Sequence, residues 1–285
     1  MENGLVKPYQ IRGKMIPKPY LNVNYGVENR MRKILLVGGD SFSDQRCGSY
    51  NGTSIVTWPI LLAEKLDMDL VCLAQAGAGN EQIYSSIQDY VCTHNPENIG
   101  MVMAAWSKSE RMDYELVHHR SHRKWNRTWK NVRVSPRGEL YHFLRKSIRN
   151  FHNLQMLCEN HDIQYKQFQM LSLFTDYIHE YHSHTEKETR LECIDYINNS
   201  PQFFHMDKSN FIGWPIYSEA GGFVIGDRTV HKKWKEVHKL ANDKPDSTFF
   251  KSAKDVNHDY VIGPHDAHPN KVGHELIMEV IHENL

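Results

Sequence analysis

The chain contains 285 residues, of which 40% are hydrophobic, and its 34 basic side chains balance 34 acidic ones. This length and composition allow one large core, or one core with an inserted cap. A balanced charge provides no general attraction to nucleic acid or to anionic membranes, so we expect neither as a partner.

The cysteines indicate the compartment. All five are scattered, with no CxxC pair: Cys47, Cys72, Cys92, Cys158 and Cys193. An odd, unpatterned set predicts free thiols in a reducing compartment rather than a disulfide framework. The N-terminus shows no apolar signal segment, and no run approaches the ~18 apolar residues of a membrane helix. We therefore expect a cytoplasmic protein.

Strand and helix patterns alternate along the chain. Residues 1–30, rich in Pro, Asn and Tyr, predict an N-terminal arm. Short apolar runs predict strands at 33–37, 69–74, 100–105 and 163–168. Helical spacing of apolar residues predicts helices from about residue 57, from about 81, over 138–160 and at the C-terminus, where Asn270 is placed as a cap. This alternation predicts a single α/β domain over 31–285 with right-handed crossovers.

Two stretches interrupt the alternation. Segment 107–137 is basic and aromatic, and segment 172–260 has irregular Gly, Pro and aromatic content. Insertions on the ligand-facing loops of an α/β sheet often form caps or binding surfaces. We interpret both stretches as insertions within the one domain.

Three short segments carry candidate chemistry. Gly39-Asp40-Ser41 follows the first predicted strand, where α/β sheets place their ligand sites. Asp266-Ala267-His268-Pro269 precedes the last helix, and a carboxylate in that tight turn could orient an imidazole that takes a proton. The glycine-rich stretch 75–80 follows the second strand and could donate N–H groups to an oxyanion. Each segment alone also fits an ordinary turn or helix cap.

Together the three segments resemble the SGNH/GDSL family of esterases and lipases. The resemblance implies that Ser41 is the nucleophile, His268 the general base and Asp266 the acid that orients it. It also implies that Gly77 gives an N–H group to the oxyanion hole, and that no cofactor is needed. The implied fold is a three-layer α/β/α sandwich around a mostly parallel sheet of about five strands, as in flavodoxin-like proteins.

Two departures from the family pattern affect this site. The third family block normally carries Gly-x-Asn-Asp, and here the third strand runs into Ala105-Trp106-Ser107-Lys108. The oxyanion hole therefore uses Ser107, or Asn80, or backbone donors only. The usual Asp-x-x-His spacing would put the acid at position 265, which is His265. Both variations resemble divergent SGNH-like proteins of bacteriophage genomes, an origin that would place the protein in a host cytoplasm or a virion.

Segment 108–133 carries eight Lys or Arg residues against three acids. Trp125 and Trp129 lie four positions apart; on a helix they would share a face and could stack on a sugar, or they could pack on the core. The candidates for substrate contacts are Asp40, Trp106, Trp125, Trp129 and Trp214.

The histidine groups do not predict a metal site. Two groups stand out, at positions 118, 119 and 122 and at positions 179, 182 and 184. Neither has the framework of a known zinc site, so we interpret them as surface histidines and expect no metal.

The predicted activity is hydrolysis of an acyl ester, preferably an O-acetyl ester on a carbohydrate, by a Ser-His-Asp triad. The partner is then a small ester or an O-acylated glycan, and a homo-oligomer stays open. Two alternatives use the same fold. One is an acyltransferase with the same triad, and the other is a non-catalytic SGNH-like virion or glycan-binding protein.

Overall fold

The computed structural model describes residues 32–47, 49–50, 53–109, 111–120, 124–133, 140–171, 196–197, 199–212, 261–263 and 266–285. Positions 49–50, 53, 115–120, 124–133, 140, 261, 263 and 266–267 are described by their backbone alone. The chain divides into two units, Met1–Met31 and Arg32–Leu285. The first unit, with the predicted N-terminal arm, and most of the predicted insertion at 172–260 lie outside the described residues.

Among the described residues, five strands alternate with helices as the sequence predicts, and three antiparallel strand pairs interrupt that order. In chain order they are β1 (Ile34–Gly38), β2 (Ser49–Tyr50), β3 (Thr53–Ser54), α1 (Trp58–Lys65), β4 (Asp69–Cys72), α2 (Asn80–Thr93), β5 (Ile99–Trp106), β6 (Arg111–Arg120), β7 (Lys124–Arg133), α3 (Leu140–Asn160), β8 (Tyr165–Gln169), α4 (Pro201–His205), β9 (Phe211–Ile212), β10 (Val261–Gly263), β11 (Asp266–Pro269) and α5 (Lys271–His282).

Five strands form the central sheet, in the order β4-β1-β5-β8-β9. Every pair in this sheet is parallel. The predicted mostly parallel sheet of about five strands is therefore confirmed. The chain first moves outward from β1 to β4 and then crosses back to β5 on the other side of β1. Such a reversal is the topological switch point at which open α/β sheets bind ligands, outside the carboxyl ends of the strands.

The sheet separates two hydrophobic cores, because successive side chains of a strand point to opposite faces. Leu36 and Val102 lie in the core that contains α2 and α3. Leu35, Val37 and Met103 lie in the core that contains α1 and α5. Strands covered on both faces need apolar residues at nearly every position, which explains the unbroken runs in β1 and β5. The result is the three-layer α/β/α arrangement.

Asn270 caps the last helix as predicted. Its side chain accepts a hydrogen bond from the Gly273 N–H at 3.0 Å. Leu276, Ile277 and Ile281 form the buried face of α5, whereas the Val272 side chain is 49% exposed. The first turn of this helix therefore leaves Val272 at the surface.

The basic, aromatic insertion is an antiparallel hairpin. β6 and β7 pair over their full lengths, from Arg111 opposite Arg133 to Arg120 opposite Lys124. Trp125 and Trp129, which were considered as neighbours on the face of a helix, therefore lie on strand β7. A spacing of four positions brings residues to one side of a strand as well as of a helix, so this spacing could not distinguish the two.

Two further segments differ from the sequence expectation. Phe211–Ile212, within the predicted insertion 172–260, forms β9 at the edge of the central sheet beside β8. The segment of the candidate base was expected as a tight turn, but Asp266–Pro269 is strand β11, which pairs antiparallel with β10.

Four of the five cysteines lie in the described part of the chain. Cys47, Cys72, Cys92 and Cys158 are free. None of the helices in the described part of the chain is both long and apolar enough to cross a bilayer.

Phe151 tests the core between α3 and the sheet. Its side chain is fully buried, and its ring lies 4.6 Å from the ring of Trp106 and 5.9 Å from that of Phe211, between ring centroids. We expect Phe151→Ala to lower the unfolding free energy by about 3–5 kcal/mol, because it removes packed apolar volume and leaves a cavity. Urea denaturation followed by circular dichroism measures the change. The matched control is Met156→Ala on the same helix, which is 40% exposed; equal losses in both variants would contradict the assigned packing.

Candidate active site

Three loops meet at the carboxyl ends of β1, β4 and β5, because these strands are parallel neighbours. The Gln75 N–H donates to the Gly39 carbonyl at 3.1 Å, and the Ala76 N–H donates to Asp44 Oδ2 at 3.1 Å. The loop after β4 is thus hydrogen bonded to the loop after β1. The loop after β5 joins them through Ser107, whose hydroxyl donates to Asp40 Oδ2 at 3.0 Å.

Ser41 lies in a tight turn organised by the residue before it. The Asp40 carbonyl accepts the N–H groups of Ser43 and Asp44, each at 3.0 Å, and Asp40 Oδ1 accepts the Phe42 N–H at 3.0 Å. In the described part of the chain the Ser41 N–H has no acceptor. The turn therefore presents both the hydroxyl and the N–H of Ser41 without using either to hold itself together.

His268 contacts the Ser41 hydroxyl directly. Its Nε2 lies 2.8 Å from Ser41 Oγ. The Phe42 ring packs against the imidazole with centroids 4.7 Å apart. A hydroxyl within hydrogen-bond reach of an imidazole nitrogen is the arrangement by which a serine is activated as a nucleophile.

For Asp266, the predicted acid, the structure describes the backbone alone. Asp266 begins β11 opposite Gly263, while its carboxylate and the whole of His265 lie outside the described residues. The choice of Asp266 as the acid stays a prediction.

Gly77 adopts a backbone conformation that favours glycine, with φ of 81°. This left-handed geometry turns the chain between β4 and α2 at no steric cost to glycine. Among the described residues its N–H finds no acceptor. Gly77 and Ser41 therefore each have an N–H group available for an oxyanion.

Asn80 and Ser107 are bonded to each other. Asn80 Oδ1 accepts the Ser107 N–H at 2.8 Å, and Asn80 Nδ2 donates to the Ser107 carbonyl at 3.1 Å and to Ser147 Oγ at 3.0 Å. Both side chains are buried. To reach an oxyanion, the Asn80 amide would have to give up one of these hydrogen bonds, and the Ser107 hydroxyl would have to leave Asp40. The geometry therefore favours the backbone donors.

Of the five candidates for substrate contacts, Asp40 and Trp106 have side chains that the structure describes. Asp40 and Trp106 are both completely buried. The Asp40 carboxylate is turned inward, and the Trp106 indole donates to Gln167 Oε1 at 2.9 Å within the core. Neither side chain is therefore exposed at the surface, and a direct substrate contact by either one stays a prediction. The side chains of Trp125 and Trp129, and all of Trp214, lie outside the described residues.

The hairpin supplies two polar side chains that the sequence analysis missed. Arg111 Nη1 donates to Asp40 Oδ2 at 2.9 Å. Asp113 accepts the Gly79 N–H and the Gln82 N–H at 3.0 Å each, which caps the first turn of α2. Burial raises the pKa of Asp113 above its usual range, and the two N–H donors oppose that rise. Their spacing of two, which puts both on one side of a strand, was the available signal.

His274 lies behind the site on α5. Its Nδ1 accepts the Trp58 N–H at 3.3 Å, at the start of α1. Burial, with a smaller contribution from the charge on His268, lowers the pKa of His274 to about 4. This second histidine therefore stays neutral near pH 7 and connects two helices.

No group of three His, Cys, Asp or Glu side chains suited to a metal ion occurs among the described residues. The side chains of both histidine groups lie outside them.

Comparisons with known proteins add a fold likeness. No protein-family model and no curated protein matches the sequence. Among solved structures, the chain is similar to a G-D-S-L-family protein described as lipolytic from Desulfitobacterium hafniense DCB-2, with 14% identity and a TM-score of 0.43 over 89% of this chain and 99% of that chain. It is also similar to the α/β hydrolase LAE5 from the metagenome of Lake Arreo, Spain, with 11% identity and a TM-score of 0.34 over 89% of this chain and 94% of that chain. Such a distant likeness carries no argument about activity, which rests on the site residues.

The lowered pKa of His274 gives a pH test of stability. Between pH 6.5 and about 4 the unfolded chain binds a proton on this residue while the folded chain does not. The contribution of His274 to the unfolding free energy is therefore fully present above pH 6.5. It falls on acidification by up to about 1.4 kcal/mol per pH unit. We expect His274→Asn, whose Oδ1 can still accept the Trp58 N–H, to remove this part of the acid sensitivity.

Urea denaturation of both proteins from pH 7 to pH 4 measures the effect. His282→Asn, an exposed histidine on the same helix, is the matched control. A wild-type minus His274→Asn difference that does not change with pH would contradict the assignment.

Proposed function

We propose that this chain is a serine esterase that hydrolyses an acyl ester. One observation carries the proposal: the 2.8 Å contact between Ser41 Oγ and His268 Nε2 at the carboxyl end of β1. An unassisted serine hydroxyl is a poor nucleophile near neutral pH, and an imidazole at this distance supplies the base it needs.

The acylation step forms one bond and transfers one proton. Ser41 Oγ attacks the ester carbonyl carbon while its proton passes to His268 Nε2. The N–H groups of Ser41 and Gly77 donate to the oxygen that becomes negatively charged. The tetrahedral intermediate then breaks its bond to the alcohol, which leaves with the proton from His268, and the acyl group remains on Ser41.

The deacylation step repeats the chemistry with water. His268 removes a proton from water as the water oxygen attacks the acyl carbon. Collapse of the second intermediate releases the carboxylic acid and returns the proton to Ser41 Oγ. In this proposal the Asp266 carboxylate orients the imidazole and stabilises its protonated form through both steps.

An O-acetyl ester on a carbohydrate is the proposed natural substrate. Support comes from the register of the hairpin. Trp125 is opposite His119 and Trp129 is opposite Glu115, so strand alternation puts positions 125 and 129 on the side of the hairpin that also carries 111 and 113. Arg111 and Asp113 contact the catalytic loops and α2. A sugar bound on that side of the hairpin would approach the nucleophile.

The catalytic pair is tested by removing each member. We expect Ser41→Ala and His268→Ala to lower kcat for a short-chain aryl acetate by about 10⁴- to 10⁶-fold, since each removes a group required for acyl transfer. Ser54→Ala, an exposed serine outside the three loops, is the matched control. Circular dichroism establishes that the variants are folded.

Two results would count against the esterase. One is activity unchanged by either substitution, and the other is a folded wild-type protein that hydrolyses neither aryl acetates nor acetylated oligosaccharides. Turnover that requires an added sugar acceptor would instead identify an acyltransferase.

If the hairpin binds carbohydrate, substitutions on its binding side should affect an acetylated oligosaccharide but not an aryl acetate. We expect Trp125→Ala and Trp129→Ala each to raise KM for an acetylated oligosaccharide by about 2- to 10-fold, the value of one lost aromatic contact, with no change on the aryl acetate. Met112→Ala is the control, because position 112 lies on the opposite side of the hairpin and its side chain is 43% exposed. An equal effect of all three substitutions would contradict the assigned binding side.

A further inference from the structure

One guanidinium nitrogen joins the hairpin to two of the catalytic loops. Arg111 Nη1 donates to Asp40 Oδ2 at 2.9 Å and to the Ala78 carbonyl at 3.0 Å. The Arg111 side chain is 21% exposed, whereas the Asp40 side chain is completely buried. A buried carboxylate requires charge compensation, and among the described residues Arg111 supplies the cationic group that contacts Asp40.

The Asp40 carboxylate connects this ion pair to the nucleophile. Its Oδ1 accepts the Phe42 N–H, directly beyond Ser41, and its Oδ2 accepts from Arg111 and from the Ser107 hydroxyl. Both oxygens of the carboxylate are therefore held, Oδ1 by the nucleophile turn and Oδ2 by the hairpin and the loop after β5. Rotation of that carboxylate would release the Phe42 N–H and loosen the turn that presents Ser41.

The hairpin also clamps the peptide group that follows the Gly77 turn. The Ala78 carbonyl and the Gly79 N–H belong to the same peptide group. Arg111 donates to that carbonyl at 3.0 Å, and Asp113 Oδ1 accepts that N–H at 3.0 Å. Two side chains from one face of β6 thus bind both polar groups of one peptide.

Glycine at position 79 permits this close approach. A Cβ there would lie 2.6 Å from Asp113 Oδ2 and 2.9 Å from the Arg111 carbonyl oxygen. Real Cβ atoms do not come so close to a backbone oxygen. The start of β6 and the turn at Gly79 are therefore in direct contact, with no space for a side chain between them.

We propose that Arg111 is a positioning residue for the esterase reaction. By bonding Asp40 and the Ala78 carbonyl at once, it fixes the Ser41 turn relative to the Gly77 turn, so that the two N–H groups keep the geometry an oxyanion requires. The proposal rests on the proposed function. It gives the hairpin a role at the reaction centre in addition to binding substrate.

The kinetic test separates positioning from substrate binding. We expect Arg111→Gln to lower kcat for a short-chain aryl acetate by about 10- to 100-fold, because small displacements of catalytic groups have effects of this size. KM should stay within about 2-fold, since Arg111 acts through Asp40 and Ala78. Arg111→Lys retains a cationic donor and should recover part of the lost kcat. Arg32→Gln, which removes a surface ion pair with Asp67, is the matched control.

A double-substitution cycle tests whether Arg111 acts through Asp40. Asp40→Asn and Arg111→Gln act through the same contact, so their combined loss of kcat should be smaller than the product of the two single losses. Independent, multiplicative losses would show that Arg111 does not act through Asp40 and would overturn the proposal.

Amide hydrogen exchange tests the same contact without enzymatic activity. We expect Arg111→Gln to accelerate exchange at Phe42 and Gly79 and to leave the central strands β1 and β5 unchanged. If wild-type protein shows no esterase activity, the proposed function fails, while this exchange pattern still decides whether Arg111 holds the two turns.

Several outcomes would overturn the positioning role. They are a higher KM at unchanged kcat, exchange that accelerates throughout the sheet, or no change in either measurement. If Arg111→Gln does not fold, Arg111→Lys carries both tests, and failure of both variants to fold would assign Arg111 to global stability instead.

Discussion

The arrangement of the site depends on one buried carboxylate. Asp40 has no exposed surface, and its two oxygens accept hydrogen bonds from the nucleophile turn, from the loop after β5 and from the hairpin. An isolated charge in such a place would be strongly unfavourable, so its partners are constrained as tightly as the carboxylate itself. Those constraints determine where Ser41 can lie.

The sheet explains why these partners can meet at all. β1 lies between β4 and β5, so the loops that leave the carboxyl ends of the three strands are adjacent although they are far apart in sequence. Asp40 and Ser107 are 67 positions apart, and Ser41 and His268 are 227 apart. The parallel pairing and the two hydrophobic cores thus keep the three loops at the positions in which their hydrogen bonds can form. The hairpin adds a further layer of contacts to this common architecture.

The central sheet could be predicted from the sequence because burial on both faces demands apolar residues at nearly every position. β1 and β5 follow that rule. The four-residue spacing of Ile83, Ile87 and Val91 instead identifies the one buried face of α2, and those three side chains are buried. β9 could not be predicted in the same way, since Phe211–Ile212 is too short to show a pattern. The hairpin was missed because its tryptophan spacing fits a helix and a strand equally.

In the candidate site, residues of local motifs could be predicted from the sequence, whereas residues defined by distant partners could not. Ser41, Gly77 and His268 belong to local motifs, and the first and last of these lie in contact. Arg111, Asp113 and His274 have no local signature, because their partners are distant in sequence. Arg111 is 71 positions from Asp40, and His274 is 216 positions from Trp58. Likewise, the sequence could not reveal that the Asn80 amide and the Ser107 hydroxyl are already engaged with other groups.

Covalent trapping tests most directly whether His268 activates Ser41 as a nucleophile. The protein would be incubated with a fluorophosphonate ester, which phosphonylates activated serines, and the modified peptide would be identified by mass spectrometry. Our account predicts one label per chain, on Ser41, and its loss in folded His268→Ala protein. A label on another residue, or no label under conditions that modify a known serine esterase, would contradict the account.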